Sequence, residues 1–238
     1  MPLLTLLWAI AFGICPQRPS HSLFFGGLQM PIEARMGGIF AGFILTALTL
    51  GVLGRGRASQ PPSGGWTLIL VGLVLLMGLD GGNAFLFDLG LPHLYTPSLP
   101  LRLATGLLAG LATAAFVVPA FNSTIWDTGP AITPLTRPAH FLAVLAPVGL
   151  YLAGGLSGWP ALLYPLSIVA VLGVPILLGA LGTVLFASFT GRANRATNWR
   201  TALPLVLGGL FLAALLLGTF SAVRLALFGT GPMQLSSP

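Results

Sequence analysis

A chain of 238 residues that is 55% hydrophobic and only 6% charged, with a mean hydropathy of +0.96, has too little polar side chain to coat a water-soluble globule. Its apolar residues run in long stretches interrupted by Gly, Pro and Arg, the pattern of one integral membrane domain over residues 1–238. The formal charge of +6 does not mark a nucleic-acid binder, because the ten basic residues sit at helix ends and in short loops rather than in one dense patch.

The first apolar stretch, 3–15, imitates the hydrophobic core of a secretory leader. It lacks a basic flank, and no small-x-small site follows before Pro16 and Gln17. It is expected to be retained as a short helix, too short to span upright. Five segments meet the requirement of about 20 apolar residues for a spanning helix: 34–54, 100–121, 139–157, 159–188 and 201–228. A sixth starts at Trp66, is tightly apolar to about Asp80, and is expected to continue to about Phe87 through a break at Gly81, Gly82 and Asn83. The fold class is therefore all-α: a transmembrane bundle of six spans plus a short N-terminal helix, with its longest loops at 16–31, 88–99 and 122–138.

Every basic side chain is Arg and none is Lys, which with the Ala, Gly, Leu and Pro richness points to a GC-rich bacterial source. Arg55 and Arg57, Arg137, and Arg192, Arg195 and Arg200 mark the loops 55–64, 122–138 and 189–200. Six alternating spans put all three on one side, expected to be the cytoplasmic side of a bacterial inner membrane. Loops 16–31, 88–99 and the turn near Gly158, together with the C-terminus, are then outside. Trp66, Trp126, Trp159 and Trp199 each fall near a helix end, where an indole bridges headgroups and acyl chains. Pro119, Pro147, Pro165, Pro175 and Pro204 are expected to kink their helices. Small residues four apart (Gly38 and Gly42, Gly106 and Gly110, Gly149 and Ala153) predict helix-packing seams, within the chain or against another subunit.

Polar chemistry concentrates in two stretches, Cys15–Gly42 and Asp80–Gly110. In the first, Cys15, Gln17, Ser22, Gly27, Gln29, Pro31, Arg35, Gly38, Ile39 and Gly42 keep the spacing of a known pattern, with Phe40 in place of its Tyr. In the second, Asp80, Gly81, Leu101, Arg102, Thr105, Gly106 and Gly110 do the same. Over about residues 15–116 the chain resembles a bacterial family of predicted membrane proteins, domain of unknown function 2085. It departs from that family at Pro16 and His21, where the family has His and Arg, and at Glu33 and Met36, where it has Cys. What the resemblance implies is a retained scaffold that has lost three of four Cys and His ligands, so no metal or dithiol centre is expected. With one cysteine, no intrachain disulfide can form.

What remains is a polar cluster of Cys15, Gln17, Glu33, Arg35, Asp80, Asp88 and Arg102. Charges in or near a bilayer are expected to pair. One reading is a proton or ion path in which Asp80 titrates against Arg35 or Arg102. The favoured reading is a structural ion pair that fixes helix register. His140, one residue into its span, is the best-placed position for a haem or pigment contact; His21 and His93 fall in outside loops, where hydrogen bonding to solvent is expected. No nucleotide loop, nucleophile elbow or HExxH pattern occurs, so no catalytic residue is assigned and no enzyme is expected. The partners expected are membrane lipids, some of them bound, and other integral membrane subunits, with no nucleic acid. The function expected is an accessory subunit of a larger inner-membrane complex, one that could be energy-transducing. The alternatives are a small transporter or channel using Asp80 and a broken helix at 80–90, and a redox factor centred on Cys15.

Overall fold

The computed structural model describes residues 2–229. Among the described residues, seven α-helices form the body of the fold: α1 (Pro2–Phe12), α2 (Ala34–Val52), α3 (Gly64–Asp88), α4 (Leu99–Ile125), α5 (Pro138–Ser157), α6 (Leu163–Phe189) and α7 (Trp199–Phe228). The six from α2 onward are long and apolar enough to cross a membrane. At 1.5 Å per residue, α1 reaches only about 16 Å, half a hydrocarbon core. The chain is thus an all-α polytopic bundle.

Inner and outer helices alternate along the sequence. In their most apolar windows α2, α4 and α6 are 44%, 67% and 44% buried, whereas α3, α5 and α7 are 22%, 22% and 17% buried. The inner three run parallel and pack on one another; α3 lies on α4, α5 on α2 and α4, and α7 on α6. The reason lies in side-chain size. A Cβ placed on Gly38 would come within 2.7 Å of the Leu103 carbonyl oxygen, and one on Gly42, Gly106 or Gly110 would run into the backbone of Leu107, Arg35 or Ile39. Glycine at these four positions lets the α2 and α4 backbones touch, which a bilayer rewards because dispersion replaces the hydrophobic drive between helices. Gly182 and Gly209 perform the same service between α6 and α7.

Several expectations are corrected. The helix expected to break at Gly81–Asn83 runs unbroken to Asp88. Two mid-helix glycines cost about 1 kcal/mol each, less than exposing unpaired backbone groups at membrane depth, and the Asp80 and Asn83 side chains bond to other elements rather than competing for their own backbone. Helix α4 extends four residues past the expected end at 121. There Asn122 donates to the Gly56 and Ala58 carbonyls, each at 2.9 Å, and accepts from the Trp126 indole at 3.1 Å. Trp126 is accordingly buried rather than an anchor among headgroups. Gly149 and Ala153 form no internal seam: a Cβ on Gly149 meets open space, and Ala153 is exposed. Pro165 falls in the first turn of α6, where no helical hydrogen bond is lost.

The loops gather into two opposite ends. At one, Ser59 and Gln60 donate backbone N–H groups to the Ile132 carbonyl, Arg55 donates to the Thr133 carbonyl at 2.7 Å, and Ala196 donates to Ile125. This arginine-rich end carries Arg55, Arg57, Arg137, Arg192, Arg195 and Arg200 against one carboxylate, Asp127. The other end gathers residues 13–33, 89–98 and 158–162, and holds Glu33 and Asp88, with Asp80 just below. The end of the chain, expected on this side, lies outside the described residues.

Candidate functional site: a polar knot at one end of the bundle

The knot starts in the loop between α1 and α2. A short antiparallel hairpin, β1 (Phe24–Phe25) and β2 (Leu28–Gln29), turns through Gly26 and Gly27 at φ of +56° and +83°. These are the left-handed angles that a two-residue hairpin turn requires. Gln17, itself at φ +61°, donates its amide to the carbonyls of Trp8 (3.0 Å) and Pro31 (2.9 Å). Gln29 donates to the Gln17 carbonyl and to Ser22 Oγ, and Ser22 Oγ donates to the Arg18 carbonyl at 2.8 Å. Cys15 is buried beside this web, and its Sγ accepts the Glu33 backbone N–H at 3.3 Å. Burial pushes the thiol pKa up to about 11. Arg224, near the end of α7, donates to the carbonyls of Phe12, Cys15 and Pro16 at 2.6–2.8 Å. It thereby places a cation on the orphan carbonyls at the C-terminal end of α1.

Below the loop, Asp80 joins four elements. Its Oδ2 accepts from Arg35 Nη2 of α2 at 2.5 Å and from Thr105 Oγ1 of α4 at 3.1 Å; its Oδ1 accepts from the Tyr95 hydroxyl at 2.7 Å. Asp80 is 2% exposed. One turn on, Asn83 accepts the backbone N–H groups of Leu94 and Tyr95 and donates to the Tyr95 carbonyl, which brings loop 89–98 back over α3 and delivers the phenol. Burial, with the carboxylate beside it, raises the Tyr95 pKa, so this hydroxyl keeps its proton to donate.

A second cluster sits above the first. Glu33 Oε1 accepts from the Arg18 backbone N–H at 3.0 Å and from its Nε at 3.3 Å, while Arg18 Nη1 donates to Asp88 Oδ2 at 3.1 Å. Arg102 Nη2 approaches Asp88 at 3.8 Å. His21, expected in solvent, is instead buried between Glu33 and Asp88, each 3.5 Å from one ring nitrogen. Its pKa is lowered, first by burial and then by Arg102 and Arg18, which outweigh the two carboxylates. That shift favours the neutral imidazole, and the two 3.5 Å approaches become ion pairs only when the ring is protonated.

The structure places the seven residues in two groups at the same end: Cys15, Gln17, Glu33, Asp88 and Arg102 in and above the loop web, and Arg35 with Asp80 below; Asp80 pairs with Arg35, and Asp88 with Arg18 and Arg102. Sequence reasoning missed Tyr95, Asn83, Arg18 and Arg224 as members. Each lies in a loop or at a helix end, with only tertiary geometry to recruit it. His140 stands at the arginine-rich end, its Nδ1 3.1 Å from Thr136 Oγ1, and His93 is exposed with its ring edge-on to Phe87.

The positions that carry the family resemblance are the ones that build this knot and the glycine seam beneath it. Residues 15–116 match the family model of the predicted membrane protein DUF2085. No curated protein and no solved structure matches the chain. The DUF2085 segment begins at Cys15 and ends within α4, so it contains the loop web, the Asp80 knot and the α2–α4 seam. It excludes α5, α6 and α7. Chemically, three donors occupy the Asp80 carboxylate and the thiol is buried and protonated, while Arg35 Nε and His21 Nδ1 are buried without a hydrogen-bond partner.

Proposed function

We propose that the chain is an accessory, structural subunit of a larger inner-membrane complex, without a catalytic centre of its own. One observation carries this reading. The outward face of α5 presents Ala146, Gly149, Ala153 and Ser157 in a line, all exposed, with Leu142, Leu150 and Leu156 beside them. Small residues at this spacing admit a second helix backbone, and among the described residues no helix takes that place. The Asp80 knot supports the same reading, because a carboxylate held by a guanidinium and two hydroxyls fixes the positions of α2, α3 and α4. With α3 continuous, the transport alternative loses the broken helix on which it was built. Burial of a lone, protonated thiol weighs against redox chemistry at Cys15.

The excess of arginine over carboxylate supports a cytoplasmic placement of the arginine-rich end. The test is purification of the native protein from its own membranes in a gentle detergent, with mass spectrometry of co-migrating polypeptides and an absorption spectrum. A stoichiometric set of partners, shed by Gly149→Leu with Ala153→Leu while the chain itself stays folded, is the expected result. A colourless monomer or homo-oligomer would overturn the reading.

A further inference from the structure

At the arginine-rich end an apolar slot of about 220 Å³ enters the bundle. Its walls are Phe43 of α2, Val117, Val118 and Phe121 of α4, and Ala180 of α6. Phe43 lies midway along its span, and Ala180 lies nine residues, about 13 Å, from the end of α6. The slot therefore runs from the level of the loops toward the middle of the membrane. Arg57, Trp126 and Trp199 frame its mouth, with the Arg57 guanidinium carbon 5.6 Å from the Trp126 ring centroid and the two indoles edge to face at 5.0 Å.

The polar groups at the mouth divide sharply. Asn122 spends its amide on Gly56, Ala58 and Trp126, which also consumes the Trp126 N–H. Arg57 and Trp199 are exposed, and among the described residues neither side chain has a hydrogen-bond or carboxylate partner. The mouth thus offers donors and positive charge with no acceptor to match, above a wall of hydrocarbon. Five further arginines stand at the same end against Asp127.

We infer that this slot is a binding site for an anionic phospholipid, its phosphate held by Arg57 and the Trp199 N–H and one acyl chain lying against Phe43, Val117 and Ala180. Charge complementarity selects the anionic headgroup, and the apolar depth of the slot requires a chain that a free phosphate lacks. The site stands independently of any partner subunit. Arg57 donates to the phosphate as a fork, its guanidinium drawn toward the Trp126 ring by a cation–π contact, while Trp199 sits at the interfacial depth that indoles favour.

The test is native mass spectrometry of the detergent-purified full chain titrated with phosphatidylglycerol or with phosphatidylcholine of the same acyl chains. Phosphatidylglycerol is expected to be retained at least fivefold more tightly. Arg57→Gln is expected to abolish that preference, while Arg137→Gln, an exposed arginine at the same end but outside the slot, leaves it intact. Ala180→Phe, which fills the slot, is expected to reduce retention of both lipids. The Arg57 and Arg137 substitutions are on exposed side chains, so the comparison survives if Ala180→Phe fails to fold. Equal retention of the two lipids, equal loss with Arg57→Gln and Arg137→Gln, or full competition by glycerol phosphate without tails would overturn the inference.

Discussion

Replacing Asp80 by Asn removes one charge while preserving volume and most of the hydrogen-bonding atoms. The consequence falls on Arg35, whose Nη2 lies 2.5 Å from the carboxylate and whose side chain is 19% exposed. Breaking a buried pair from one side typically costs about 3–5 kcal/mol because the remaining charge is left uncompensated. Arg35 retains a route to water, which lowers the expected loss for Asp80→Asn to about 2–3 kcal/mol. Arg35→Met strands a carboxylate that is 2% exposed and still held by two hydroxyls, and should cost about 3 kcal/mol. The double variant strands neither charge and should cost no more than the single variants, about 2.5 kcal/mol, so the cycle should return a coupling of about 3 kcal/mol. An ordinary hydrogen bond between membrane helices gives only about 0.6 kcal/mol, so the magnitude separates an ion pair from a simple contact. The assay is equilibrium unfolding in mixed detergent micelles followed by tryptophan fluorescence. A coupling below about 0.5 kcal/mol would refute the claim that Asp80 and Arg35 act as one structural unit.

Gly110→Ala drives a methyl into the Ile39 backbone and should destabilise the protein by about 2 kcal/mol, whereas Gly78→Ala, facing open space, should be neutral or stabilising by up to about 1 kcal/mol; the same unfolding assay reads both. With its pKa raised from 9.0 to about 11, Cys15 has a thiolate fraction about a hundredfold lower at pH 8, so maleimide labelling of the folded protein should be slower than that of the unfolded chain by at least that factor. Arg224→Ala removes the guanidinium from three carbonyls at the end of α1 and should speed Cys15 labelling as α1 loosens, with a stability loss of about 1–3 kcal/mol. His21 has a lowered folded pKa, so the unfolded chain binds its proton first. The His21 contribution to stability should be constant above about pH 6.5 and fall as the pH drops below it, and His21→Gln should remove that dependence.

The spans were legible because a run of about 20 apolar residues has one solution in a bilayer. The glycine pairs in α2 and α4 were legible as seams because glycine in a spanning helix has few other uses. Legibility failed where a polar side chain could choose between local and distant partners. Asn83 next to two glycines reads as a helix break, yet it bonds to the loop at Leu94 and Tyr95 and leaves α3 intact. Asn122 reads as the start of a loop, yet it captures Gly56 and Ala58 and holds another turn of α4. Tyr95 and His21 sit in stretches that look solvent-facing, and only the fold of the 16–31 loop and the return of 89–98 over α3 bring them to Asp80, Glu33 and Asp88.

The family resemblance also reads differently once folded. Cys15 and position 33 are neighbours, joined through the Glu33 backbone N–H. Where the resembled pattern has a cysteine, this chain carries a carboxylate that binds Arg18 and lies beside His21. In this chain that corner is held by charged contacts.

The central claim, that this chain docks another membrane subunit through the outward face of α5, is tested most directly by a photo-crosslinking residue placed at Ala153 in cells, with Leu68 of α3 and Phe211 of α7 as exposed controls on other helices. The account predicts one discrete adduct of fixed mass from position 153 and none of that mass from 68 or 211. An unmodified band at all three positions, or the same adducts from all three, would contradict it.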